Sequence, residues 1–112
     1  MPYVDSKYRA QLKPLIEPLA KQVAECAASL DNEASFAGLL NYTISELTLG
    51  VLRHRFSELR YWIIATTCGA LHNAADEFYR RVGHVYEDRQ IARHGDLPGY
   101  DHLLAAKKTK TR

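Results

Sequence analysis

Three short strings between Asp76 and Asp96 gather three arginines, two tyrosines and five carboxylates: Asp76-Glu77-Phe78-Tyr79-Arg80-Arg81, then Tyr86-Glu87-Asp88-Arg89, then Gly95-Asp96. A guanidinium offers a planar fork of donors that matches a phosphate or carboxylate in two parallel hydrogen bonds. Tyrosine rings offer flat apolar faces with polar tips. Tyr79, Arg80, Arg81, His84, Tyr86 and Arg89 are therefore candidates for binding an anionic, ring-bearing small molecule. Asn41 and Tyr42, polar residues at the head of an upstream apolar stripe, join them if that stripe faces the cluster. A purely structural reading stands beside this one. Asp76 and Arg80, like Glu77 and Arg81, are four apart with the acid first, a spacing that stabilises an isolated helix by ~0.2–0.5 kcal/mol per pair.

Other chemistry is less well served. His84 with Asp88, or His72 with Asp76, shares a helix face at ligand spacing, but no third ligand stands at fixed spacing for a metal. Ser45 and Ser57 lack a nucleophile elbow. Gly95-Asp96-Leu97-Pro98-Gly99 has neither the lysine nor the following helix of a phosphate loop. Cys26 and Cys68 fall on apolar stripes and read as buried small hydrophobes in a reducing compartment. The expectation is a non-catalytic protein with no cofactor and no resident metal.

The elements that must position the cluster are helical. Leu12, Ile16, Leu19, Val23, Cys26 and Leu30 form one stripe, with Pro14 in a first turn after a short leading turn and Pro18 bending or delaying the helix. Asp31 to Ser35 reads as a loop. Phe36, Leu40, Ile44, Leu47 and Val51 mark a second helix from about Phe36 to His54, followed by a short link in which Ser57 caps a third. In that third helix Tyr61, Ile64, Cys68, Leu71, Ala75, Phe78, Val82 and Val85 alternate steps of three and four, the seam of a helix that packs lengthwise against partners. Gly69 and Gly83 imply close approach or a bend, with the bend expected near Gly83 and a short last helix stopped by Gly95. The stretch Asp96 to Tyr100 reads as turn-rich. The fold class is all-α: a small bundle of three main amphipathic helices plus a short C-terminal helix. Its long seam exceeds what two shorter helices cover, which predicts a homo-oligomer.

With 112 residues the chain holds one modest core, expected over residues 1–104, with residues 105–112 as a basic disordered tail. The net charge of +2 is misleading, because Lys107, Lys108, Lys110 and Arg112 crowd the end and residues 1–106 carry 11 basic against 13 acidic side chains. That balance argues against a nucleic-acid surface on the folded part. Neither a membrane span nor a secretory signal is legible, so a cytoplasmic protein is expected.

The string EFYRRV, then YED and a terminal GD, with NYTI upstream, resembles a family of small helical proteins of unknown function found widely in phages and prophages. The resemblance runs from roughly Val4 to Leu97 and rests on Asn41, Tyr42, Glu77, Phe78, Tyr79, Arg80, Arg81, Tyr86, Glu87, Asp88, Gly95 and Asp96. Val85 and His94 stand where that family often carries proline and asparagine. It implies a phage-encoded protein acting in the host cytoplasm, and so a counter-defence role. Three functions follow in order: an oligomer that sequesters a nucleotide-derived immune signal, a module that binds a host or phage protein without a small ligand, and a nucleotide-processing enzyme.

Overall fold

The computed structural model describes the backbone of residues 3–110 and the side chains of residues 3–105. The protein is all-α. Helix α1 spans Ser6–Ala28, a single 3-10 turn spans Glu33–Ser35, α2 spans Phe36–Arg55 and α3 spans Tyr61–Phe78. A π-helical turn, Tyr79–Gly83, leads into α4, His84–His94, and α5 spans Pro98–Lys110. The chain divides into two compact units, residues 1–67 and 68–112.

In the first unit α1 starts where Asp5 accepts the Lys7 amide at 3.1 Å, an N-cap that satisfies one of the free donors of the first turn. Pro14 and Pro18 lie inside this helix, which neither waits for them nor starts after them. Each removes one amide donor, and their spacing of four puts both gaps on one exposed face, open to solvent. At the far end the Ser29 hydroxyl donates to the Cys26 carbonyl at 2.7 Å, and Asn32 accepts the Ala34 amide at 2.9 Å. These local bonds reverse the chain, and α2 packs back on α1. Arg53, His54 and Arg55 close α2 with positive charge against the negative end of its dipole.

The link to α3 is longer than expected, and Ser57 does not cap it. The chain is extended at Phe56, and the first turn of α3 is anchored by the Arg60 carbonyl, which accepts from the amides of Ile63 and Ile64. An aromatic clasp overrides the serine: Phe56 and Trp62 meet edge to face at 5.7 Å across the link, with the Arg55 guanidinium 4.9 Å from the Phe56 ring centre. Ile63, 3% exposed, is buried.

The apolar stripes stay largely open. Leu12, Ile16 and Leu19 on α1, Leu30 just beyond its end, and Phe36, Leu40, Ile44, Leu47 and Val51 on α2 each keep over two-fifths of their surface exposed. The half-buried positions are instead Val23 and Ala27 on α1 and Leu39, Thr43, Thr48, Gly50 and Leu52 on α2. Thr43 bonds the Leu39 carbonyl at 2.8 Å, so a hydroxyl is tolerated on that face.

In the second unit the expected bend near Gly83 is a π turn, in which the His84 amide donates to the Tyr79 carbonyl, five residues back. A π turn inserts one extra residue into the helix, and one residue is about 100° of rotation. Beyond it, Gly83 and Tyr86 take the phase that an uninterrupted α-helix would give to Val82 and Val85. The seam of Cys68, Leu71, Ala75 and Phe78 thus continues into Gly83 and Tyr86, and the two valines turn off it. Gly95, at φ 88, ends α4 in a conformation that only glycine adopts freely. The stretch beyond it, read as turn-rich, enters α5 at Pro98, a residue suited to a first helical turn because it has no amide to satisfy. Of the basic end, the side chains from position 106 on and residues 111 and 112 lie outside the described residues.

Candidate functional site

The π turn arranges the cluster. Because it carries an extra residue, the Tyr79 ring lies over Gly83, where an added Cβ would come within 2.8 Å of the ring. From there the Tyr79 hydroxyl donates to a Glu87 carboxylate oxygen on α4. His84 meets the same ring edge on, 5.2 Å between centres. The Glu87 bond, then that carboxylate's negative charge and a small desolvation, hold the Tyr79 phenol above its ordinary pKa.

Glu77 is the second organiser. Its side chain is 22% exposed; Arg81 Nε donates to one of its oxygens at 2.5 Å and Arg80 donates to the other at 3.3 Å. Arg80 reaches Glu77, three residues back, instead of Asp76. One carboxylate therefore lies between two guanidinium groups, leaving a local excess of one positive charge. An incoming anion must compete with Glu77 for both forks.

Of the sequence candidates, Tyr79, Arg80, Arg81 and His84 are drawn together around the π turn. Tyr86 and Arg89 lie one turn apart on α4, both exposed, and Arg89 makes no ion pair among the described residues. Arg93, not singled out from the sequence, follows on the same face at the next turn. Asn41 and Tyr42 lie exposed on α2 in the first unit. Among the described residues no group of three His, Cys, Asp or Glu side chains is placed to hold a metal ion, and no helix is long and apolar enough to cross a membrane.

A feature the sequence reading missed is a groove between α1 and α2. It measures ≈ 820 Å³ and is lined chiefly by Ile16, Leu19, Val23, Leu30, Phe36 and Leu40. The stripe that flagged these residues was legible; that it would face an open groove was not, because periodicity marks an apolar face without saying what covers it.

No curated protein and no solved structure matches this chain. A family model described as Domain of unknown function (DUF6899) matches residues 1–97, which include the Arg/Tyr cluster, the π turn and the groove. The chain belongs to that family.

Proposed function

We propose that this protein works without catalysis, by association: its helices present apolar faces that become covered only when another protein chain docks on them. The observation that carries this reading is the open apolar face of the first unit: Leu12, Ile16 and Leu19 on α1 and Phe36, Leu40, Leu47 and Val51 on α2 each keep more than two-fifths of their surface exposed. The α1/α2 groove has the form that receives an amphipathic helix, with anchors at helical spacing on the incoming partner. The resemblance to small phage proteins gives the association a purpose, covering a host or phage protein. Its test is a stoichiometric complex recovered from host cells by the wild type and lost in Leu19→Glu and Phe36→Glu, with helicity unchanged. Recovery by all three proteins, or by none, contradicts it.

A second reading, sequestration of an anionic nucleotide-derived molecule, is favoured by Tyr86 and Arg89. They pair an exposed ring with a guanidinium that makes no ion pair among the described residues, one turn apart. A thermal-shift panel of cyclic and ADP-ribose-type nucleotides tests it, followed by recovery of the ligand unchanged after heat denaturation. No shift with any nucleotide removes this reading, and a chemically altered ligand points to an enzyme.

A further inference from the structure

The open seam of the second unit has a pattern that selects its own partner. Cys68, Leu71, Ala75 and Phe78 repeat at alternating steps of three and four on α3, and all four are exposed; Leu71 is 44% and Phe78 67% open to solvent. Among the described residues of this unit no second helix packs alongside that face. Large and small residues alternate along it: cysteine, leucine, alanine, phenylalanine. Parallel, in-register pairing would set Phe78 on Phe78 and Ala75 on Ala75, giving layers too wide and too narrow by turns. Antiparallel pairing centred at position 73 sets each large residue on a small one, Phe78 against Cys68 and Leu71 against Ala75, so every layer has nearly the same volume. Facing large against small is how helices approach closely without voids.

We infer that the α3 seam docks antiparallel on the α3 seam of a second copy of this chain, about a two-fold axis at position 73. The inference rests on the association reading and names its first partner. A dimer through α3 uses none of the residues that line the α1/α2 groove, which stays available for a different protein.

Sedimentation equilibrium on the full chain supplies the test, with helicity followed in parallel. The wild type is expected at twice 12.7 kDa, Leu71→Glu at the monomer mass, and the groove variant Leu19→Glu at the dimer mass. A wild type that stays monomeric at ~100 µM, well above the micromolar dissociation constants of weak dimers, overturns the inference while leaving capture of another protein by the groove intact. A dimer that survives Leu71→Glu also overturns it. If Leu71→Glu loses helicity, thiol cross-linking decides. With Cys26→Ser as background, Phe78→Cys is expected to give an oxidised dimer through Cys68. Cys68 alone is expected to give none, since two copies of it stand about 15 Å apart along the antiparallel pair. A dimer cross-linked through Cys68 alone contradicts the arrangement.

Discussion

Tyr79 and Gly83 depend on each other: the ring occupies the space beside the glycine, within 2.8 Å of where a Cβ would stand, and from that position the hydroxyl reaches Glu87. The π turn makes this approach possible by setting the two residues a wider turn apart than an α-helix does. Gly83→Ala gains about 1 kcal/mol of helix propensity but evicts the ring. The ring is exposed and can swing away, so the expected result is a protein of similar stability in which Tyr79 titrates as an ordinary phenol. Heteronuclear NMR of the Tyr79 ring checks this, and an unshifted Tyr79 resonance in the variant would refute the steric argument.

The Tyr79–Glu87 bond also has a pH signature. The phenol's pKa is raised in the folded state, chiefly by the hydrogen bond to Glu87 and then by that carboxylate's charge. A raised folded pKa contributes stability that is fully present below the unfolded phenol's value, about 10, and is lost as pH rises through the folded value. Ultraviolet titration of the seven tyrosines is expected to show one ionising late. Tyr79→Phe removes that late step, and Glu87→Gln moves it towards the ordinary value. A late step that survives in Tyr79→Phe assigns it elsewhere.

Glu77 holds two arginines that are themselves more than half exposed. Exposed pairs contribute about 0–1 kcal/mol, so Glu77→Gln is expected to cost less than about 1 kcal/mol by urea unfolding. Its larger effect is electrostatic: both guanidinium forks are released, and binding of inorganic phosphate or a nucleotide, read by calorimetry, is expected to strengthen. Unchanged or weaker anion binding would show that Arg80 and Arg81 serve the helix alone.

The two prolines of α1 give a prediction of opposite sign to most substitutions. An interior proline costs roughly 3 kcal/mol against alanine, and Pro14 and Pro18 are both interior and exposed. Pro18→Ala is expected to raise the melting temperature and the helical signal. A fall in either would mean that a proline-specific shape of α1 is needed for packing on α2.

Much of this arrangement was legible because helices announce themselves by period. The second helix was placed to within a residue of Phe36–Arg55, and Gly95 was identified as a stop because a positive φ at a helix end favours glycine. The third helix was placed too, though its start shifted to Tyr61 because the Phe56–Trp62 contact, made between residues six apart, outweighs a serine cap. The π turn was not legible: its seam keeps an unbroken alternation of three and four through Val82 and Val85, so period alone carries the α-helical phase straight through. A tyrosine four residues before a glycine was the available clue, a large ring and the gap that accepts it. Proline grammar misled at both ends, since it weighs one lost donor and not the packing of α1 on α2 or the start of α5. The charged cluster was found as a group, but which acid holds which arginine depends on rotamers that spacing does not fix.

The central claim, that another chain completes this fold, is tested most directly by thermal unfolding of the full chain over a hundredfold range of concentration, with molar mass measured at each point. The account predicts a mass above 12.7 kDa and a midpoint that climbs by several degrees with concentration, because association favours the folded state by mass action. A cooperative transition at one fixed temperature, in a protein that stays at 12.7 kDa throughout, would contradict it.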